Sequence, residues 1–332
     1  MHYNNMIKRG VAAALAAAAL AVLPAKAQEG TYPTKPVSII VPFTAGGTAD
    51  IFSRMIGAHL HQKWGQPFLT ENVPGAGSII GINRVAKGTP DGTILGLGST
   101  SGLSINPSLY GEKLSYNPQK ELVPIAQISM VPNVLVVNPN TVKARSVPEL
   151  IAFMKANPGK LSYGSAGVGT SQHLAAELFQ QMSGTKMEHI PYRGSSAMMN
   201  DLLSGKIDLA FDNVPLLLPH AKEGKLVLIA AATAKRPEFD PNLPTIAETL
   251  PGFEAVAWHG FFAPTGTPKA VIEKLAAEIV AFQQLPETQK KYRDLGAEPK
   301  AVPAAEFATY IASETARWKK VIEAAKITVQ AP

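Results

Sequence analysis

The chain has 332 residues, of which 46% are hydrophobic and 17% charged, and it contains 27 Gly, 27 Pro and no Cys. This length suggests about two domains, the hydrophobic content excludes a disordered chain, and the missing Cys exclude disulfide scaffolds, iron–sulfur clusters and thiol nucleophiles. The formal net charge of +6 must be located along the chain before it can indicate a partner.

The N-terminus has the pattern of a secretory signal. Lys8 and Arg9 precede an apolar run at residues 11–23, and an A-x-A motif ends at Ala27. A membrane anchor is the alternative, but the run is shorter than the ~20 residues that span a bilayer. Cleavage after Ala27 would leave 305 of the 332 residues and, with three basic residues lost, lower the charge from +6 to +3. No basic cluster that could hold nucleic acid remains, so we predict an exported protein with no nucleic-acid partner.

Beyond the signal, short apolar runs alternate with amphipathic segments, which is typical of α/β architecture. A strand at residues 37–41, a Gly-rich loop and a helix from residue 49 form one predicted unit. A strand at residues 161–164, a second Gly-rich loop and a helix from residue 171 form another. The last third, from Pro268, is predicted to be mostly helical.

Two extended runs, at residues 122–138 and 226–233, predict connections between two lobes. The first run would lead out of one lobe and the second would return to it. We therefore predict a first lobe from residues 28–128 and 234–332, with a second lobe, residues 129–233, inserted into it.

The two Gly-rich loops predict anion binding. The second loop (residues 165–170) follows Gly164 with the spacing of a P-loop, but Thr170 replaces the P-loop lysine, which disfavours nucleotide hydrolysis. Glycines ahead of a helix leave backbone N–H groups that can converge on a carboxylate. The first loop (residues 42–48) repeats this arrangement. The alternative for both is a loop that caps its helix and binds nothing.

Several polar residues near these loops have two interpretations. Asp50 fits either a helix-start charge or a partner for a ligand hydroxyl or ammonium group. Ser99 lies in a segment that imitates a nucleophile elbow, but Thr100 occupies its centre, so Ser99 is predicted as a hydrogen-bond donor at a strand end. His173 faces the same cleft or packs in the core. Residues 75–81 are predicted to form a structural turn, and the histidine spacing predicts no metal site.

Seven segments in chain order resemble the Bug family, also called the TctC-like receptors, which are periplasmic solute-binding proteins of tripartite tricarboxylate transporters. The segments are the run from Tyr32 into PFTAGGTAD, then ENVPGAG, PDGT, PNVLVVNP, YGSAGVGTSQHLAAELF, PYRG and FFAPTGTP. The resemblance implies a two-lobed, type II-like Venus flytrap, in which each lobe is a mixed sheet flanked by helices and two crossing strands join the lobes. It also implies a periplasmic monomer that binds a small organic acid without catalysis or cofactor and delivers it to integral membrane subunits.

The resemblance also implies the ligand-binding residues. The first loop would hold the carboxylate through Phe43, Thr44, Ala45, Gly46 and Gly47. The second loop would contribute Ser165, Ala166, Gly167, Gly169 and Thr170. Rim or distal contacts would come from His173, Tyr192, Arg193 and Asp212, and Asp50 and Ser99 complete the predicted site.

Two other functions remain open at this point. One is an exported hydrolase in which Ser99, Ser101 or Ser165 acts with His173. The other is a binding protein that serves a sensor kinase instead of a transporter.

Overall fold

The computed structural model describes residues 32–329, and the predicted signal at residues 1–27 lies outside them. The strands are β1 Val37–Val41, β2 Phe68–Asn72, β3 Ile94–Ser99, β4 Leu122–Val137, β5 Ser162–Ser165, β6 Glu188–Pro191, β7 Leu209–Asn213, β8 Val227–Ala231, β9 Val256–Pro264 and β10 Glu298–Pro303. The α-helices are α1 Thr48–Trp64, α2 Ile79–Ala86, α3 Asn106–Tyr110, α4 Pro118–Glu121, α5 Val147–Ala156, α6 Ser171–Ser183, α7 Ser195–Ser204, α8 Val214–Lys222, α9 Lys269–Gln284, α10 Pro286–Asp294 and α11 Ala304–Ala324. Within residues 32–329 no helix is both long and apolar enough to cross a membrane.

Strand β4 is long and belongs to two sheets. Its first part, Leu122 to Pro132, pairs antiparallel with β9, and part of it also pairs with β10. Its last part, Asn133 to Val137, pairs antiparallel with β7 and β8. The first sheet thus contains β1, β2, β3, β9 and β10, and the second sheet contains β5, β6, β7 and β8. The predicted α/β architecture of two mixed sheets flanked by helices is confirmed.

The chain returns from the second sheet to the first later than the apolar pattern suggests. The extended run predicted at residues 226–233 forms β8, which pairs with β4 inside the second sheet. The return follows at residues 232–256, where Ala255 N donates to Ala232 O and Ala232 N donates to Asn133 O. An extended apolar run has the same pattern whether it crosses between sheets or pairs within one, so sequence alone does not separate the two.

The buried side chain of Asn133 joins the outgoing and returning segments. Its amide Nδ2 donates to Ala255 O at 2.8 Å, and its Oδ1 accepts from Asn213 Nδ2 at 2.8 Å. Because a buried polar group left without a partner is costly, this side chain holds the two segments in one geometry.

Helices cover both faces of the second sheet. Leu135 and Val137 of β4 point to a core that includes Phe179 of α6. Val134 and Val136 point to the opposite core, which includes residues of α7 and α8. This alternation along one strand is the two-residue period of a sheet buried on both sides.

The C-terminal helix α11 packs against the cores of both sheets. Phe307, near its start, stacks edge-on against Trp258 of β9 at 5.4 Å between ring centroids. Trp318 and Ile322, near its end, belong to the core of the second sheet. The end of the chain therefore contributes to the packing of both sheets.

Candidate functional site

The parallel strands of both sheets direct their carboxyl ends toward one cavity. Strands β1 and β3 run parallel in the first sheet, and β5, β6 and β7 run parallel in the second. Ligands of α/β proteins bind at such strand ends. The cavity has a volume of about 30 Å³. Its lining residues are Phe43, Thr44, Gly47, Thr48, Ala49, Ser99, Ser101, Ser171, Gln172, Ser195, Asn213, Ala257 and His259.

Four helices begin at this cavity. Thr48, Ser171 and Ser195 are the first residues of α1, α6 and α7, and Asn213 is the N-cap of α8. The N-caps of α1 and α7 are Gly47 and Gly194, which have no side chain to satisfy the first N–H groups. Helix N-termini carry partial positive charge and unpaired N–H donors. Of the described residues that line the cavity, none is Lys or Arg, so these neutral donors are what favours an anion there.

Two hydroxyl groups of the first-sheet wall are buried and unpaired. Thr44 Oγ1 and Ser99 Oγ have no hydrogen-bond partner within residues 32–329. A buried hydroxyl without a partner costs about 1–3 kcal/mol, and a bound ligand that accepts from it recovers this cost. The placement of Phe43, Thr44, Gly47 and Ser99 on the cavity is compatible with their predicted role.

Asp50, in the first turn of α1, stabilises the first loop by a hydrogen bond to its backbone. Its carboxylate accepts from Gly46 N at 2.9 Å and from Arg54 Nε at 3.0 Å. Burial opposes ionisation, but the hydrogen bonds from Arg54 and Gly46 hold the pKa of Asp50 below its ordinary value. Asp50, Ala45 and Gly46 do not line the cavity. The observed contacts of Asp50 are therefore those of a structural charge at a helix start.

The second-sheet wall is built around the buried carboxylate of Asp212. Asp212 Oδ1 accepts from Ser195 Oγ at 2.7 Å, from Gln172 Nε2 at 3.2 Å and from Asn213 N at 2.8 Å. Ser171 Oγ in turn donates to Gln172 Oε1 at 3.2 Å. Burial raises the pKa of Asp212 to about 6, despite the hydrogen bonds that favour the charged form. Asp212 itself does not line the cavity; it lies behind Ser195, Gln172 and Asn213, which do.

The side chains of the second loop make their hydrogen bonds within the loop and to the histidines beneath it. Ser165 Oγ lies 2.7 Å from His189 Nε2 and accepts from Gly167 N at 3.2 Å. Thr170 Oγ1 donates to Gly167 O and accepts from His173 N, which caps α6. Among the residues that the structure describes, none from 165 to 170 lines the cavity; the second-sheet wall begins with Ser171.

Two stacked histidines lie beneath the second loop. The rings of His173 and His189 are 4.4 Å apart, and His173 Nδ1 accepts from Gly169 N at 3.4 Å. Burial lowers the pKa of each to about 4, so both are neutral at pH 7. Ser165 contacts His189, whereas the hydrolase alternative requires Ser165 to act with His173.

Tyr192, Arg193 and Gly167 come together at a second, more open pocket of about 480 Å³. Tyr192 OH donates to Asp201 at 2.9 Å, and Arg193 is exposed. Gly77 of the predicted structural turn also lines this pocket, and its backbone lies in direct contact with Gly167 and Val168. The turn at residues 75–81 thus also joins the first-sheet elements to the second loop.

Sequence reasoning missed most of the second-sheet wall. Ser195 follows β6 and begins a helix, and Asn213 ends β7 and caps a helix, so the rule that identified the two Gly-rich loops could have found both. Gln172 lies in the first turn after the second Gly-rich loop and has the same signal. Ser101, which the sequence indicated only as a nucleophile, and His259 have no such signal for ligand binding. His259 reaches the cavity because β9 pairs with β3, with Ser99 opposite His259.

Sequence relatives of the protein match nearly the whole chain. Residues 52–327 match the family model described as the tripartite tricarboxylate transporter family receptor. Protein BugT of Bordetella pertussis is 35% identical over 310 residues, covering 92% of this chain and 93% of BugT.

Solved structures show the same fold. The R. palustris protein Rpa4515 with adipate superimposes with a TM-score of 0.87 at 35% identity, covering 90% of this chain and 99% of that protein. MatC from Rhodopseudomonas palustris with bound malate gives a TM-score of 0.83 at 28% identity, covering 88% of this chain and 100% of MatC. The two-lobed periplasmic binding protein fold expected from the resemblance is confirmed. The chain belongs to the family of receptors of tripartite tricarboxylate transporters.

Proposed function

We propose that the protein is a periplasmic receptor that binds a small organic acid by its carboxylate and passes it to the integral membrane subunits of a tripartite tricarboxylate transporter. The observation that carries this proposal is the convergence of four helix N-termini on a cavity that no Lys or Arg of the described residues lines. The family supports it, as do the structural relatives that hold adipate and malate.

In this proposal the two Gly-rich loops have different tasks. The first loop, from Phe43 to Gly47, meets the ligand together with the hydroxyl of Ser99. The second loop, including Ser165, Ala166, Gly169 and Thr170, supports the wall that begins at Ser171. His173 lies under that loop, and Tyr192 and Arg193 form the rim, where the exposed cation attracts an incoming anion.

The expected affinity is consistent with such a site. About five hydrogen bonds to a charged group, each contributing roughly 1.5–3 kcal/mol, exceed the ~8 kcal/mol that micromolar binding requires. The surplus offsets the lost freedom of the ligand and the cost of closing the cleft.

The remaining expectations about the molecule belong to the same proposal. The protein is exported by a signal cleaved after Ala27, acts as a monomer and performs no catalysis. The lobes are those predicted from the sequence, with residues 28–128 in the first and 129–233 in the second. Because Ile246 and Phe253 pack in the core of the second sheet, we propose that the chain returns to the first lobe near residue 256 instead of residue 234.

A ligand screen on the mature chain, residues 28–332, tests the proposal. Thermal shift against mono-, di- and tricarboxylates should identify at least one stabilising acid, and calorimetry should then give a Kd near micromolar. NMR of the bound acid after prolonged incubation should show it unchanged. If no carboxylate binds, or if it is converted and Ser165→Ala abolishes the conversion, the proposal is wrong.

A further inference from the structure

The buried carboxylate of Asp212 makes the two walls of the cavity chemically different. An ionised carboxylate only accepts hydrogen bonds. Ser195 Oγ therefore donates its single hydroxyl proton to Asp212 Oδ1, at 2.7 Å. What Ser195 Oγ presents to the cavity is its lone pairs, so it can accept from a ligand but not donate to it.

Asp212 also fixes the direction of the hydrogen bond between Gln172 and Ser171. Gln172 Nε2 donates to Asp212, which fixes the amide so that its Oε1 faces Ser171. Ser171 Oγ donates its proton to that oxygen, and so it too presents lone pairs to the cavity. The carboxylate of Asp212 thus makes the hydroxyl groups of both Ser195 and Ser171 hydrogen-bond acceptors toward the cavity.

The first-sheet wall, on the opposite side of the cavity, offers hydrogen-bond donors. Thr44 Oγ1 and Ser99 Oγ are buried without a partner in the described chain, so their protons are available to a ligand. Ser101 Oγ accepts from Ser171 N at 3.2 Å, which leaves its proton available as well. This wall suits a carboxylate.

Charge adds to the difference between the walls. Asp212 is fully buried, its Oδ2 has no hydrogen-bond partner in the described chain, and the groups that contact its Oδ1 are all neutral. A second carboxylate resting on Ser195 would lie one side chain from this negative charge. The N-termini of α6, α7 and α8, each contributing about 0.3–1 kcal/mol, offset only part of the repulsion between two carboxylates.

We propose that Asp212 is a positioning residue that selects ligands with one carboxylate and, at the other end, a hydrogen-bond donor such as a hydroxyl or ammonium group, over dicarboxylates of the same length. The proposal rests on the proposed function, because it assigns the second end of a ligand whose carboxylate the first wall binds. It places Asp212 behind Ser195 and Gln172, without direct contact with the ligand.

The test compares ligands that differ only at one end. Adipate, 6-hydroxyhexanoate and 6-aminohexanoate form one set, and succinate, 4-hydroxybutyrate and 4-aminobutyrate form a shorter set. Calorimetry at pH 7.5 with the mature protein should show the hydroxy or amino acid of the better-fitting set binding at least about tenfold more tightly than its dicarboxylate. The hydroxy and amino arms show which donor the wall accepts.

Variants separate positioning from a merely structural role. Asp212→Asn removes the charge and lets Ser195 and Gln172 reverse, so the preference should fall by at least about tenfold or invert toward the dicarboxylate. Asp208→Asn is the matched control, because Asp208 precedes the same strand and accepts from Ser162 N and Oγ, away from the cavity. It should keep the wild-type preference. Ser195→Ala removes the acceptor itself and tests the same preference should Asp212→Asn fail to fold.

The outcomes distinguish this inference from the proposed function. A wild type that binds dicarboxylates as tightly as the hydroxy and amino acids, with a ratio that neither Asp212→Asn nor Ser195→Ala changes, overturns the inference and leaves carboxylate binding intact. If no carboxylate binds to any variant, the proposed function fails and the inference fails with it.

Discussion

The two Gly-rich loops have the same local plan and different surroundings. Each follows a parallel strand and leads into a helix, β1 into α1 and β5 into α6. The first loop places Phe43, Thr44 and Gly47 on the cavity. The second loop instead forms hydrogen bonds with His173, with His189 and within itself. A Gly-rich turn therefore specifies where backbone N–H groups become available, and the surrounding sheet decides what they meet.

The largest expected effect comes from the contact between the second loop and the first-sheet turn. A Cβ on Gly77 would overlap the carbonyl oxygen of Val168. Gly77→Ala should therefore prevent the two sets of elements from meeting and weaken carboxylate binding by at least about hundredfold in calorimetry. Gly224→Ala is the control, since Gly224 has a similar φ of +69° with nothing within 4 Å. Equal affinity of the two variants would show that this contact is not needed for binding.

The next effect separates support from ligand contact in the second loop. Ser165→Ala removes a fully buried hydroxyl that contacts His189 and Gly167. The free energy of unfolding in denaturant should fall by about 1–2 kcal/mol, while ligand affinity stays within about threefold. A large loss of affinity with unchanged stability would instead place Ser165 in contact with the ligand.

The first wall should respond in the opposite way. Ser99→Ala removes a buried hydroxyl that has no protein partner in the described chain. Affinity for the carboxylate should fall by about tenfold, and stability without ligand should stay unchanged or rise, because no protein hydrogen bond is lost. Calorimetry and denaturant unfolding on the same sample check both; undiminished affinity would remove Ser99 from the site.

The smallest effect concerns acid stability, to which the buried histidine pair beneath the second loop contributes. Burial lowers the pKa of His189 to about 4, below the unfolded value of 6.5. Between these values the unfolded chain binds more protons, so stability falls as the pH drops from 6.5 toward 4. His189→Gln should reduce the loss between pH 7 and 5 by about 1 kcal/mol, after allowance for its partial exposure. His61→Gln replaces an exposed imidazole in α1 and is the control; a slope for His189→Gln equal to that of the control would contradict this prediction.

Sequence predicted the local units better than their assembly. The strand at Val37–Val41, the helices that follow both loops and the α/β class could be read from apolar runs and glycine positions. The local strand-to-helix pattern marks Ser195 and Asn213 one by one, but it could not show that they form one wall with Gln172. These residues meet only through the order of β5, β6 and β7 in the sheet. Likewise, Gly77 has the pattern of an ordinary turn, and only the fold brings it against Val168.

The central claim is that neutral donors at helix N-termini hold a carboxylate in this cavity. Calorimetric titration of the mature protein with its best acid and with the primary amide of that acid tests the claim most directly. The two have nearly the same shape, and only the acid carries the charge that helix N-termini favour. We expect the acid to bind at least about hundredfold more tightly than the amide. An amide that binds as tightly as the acid would contradict the account.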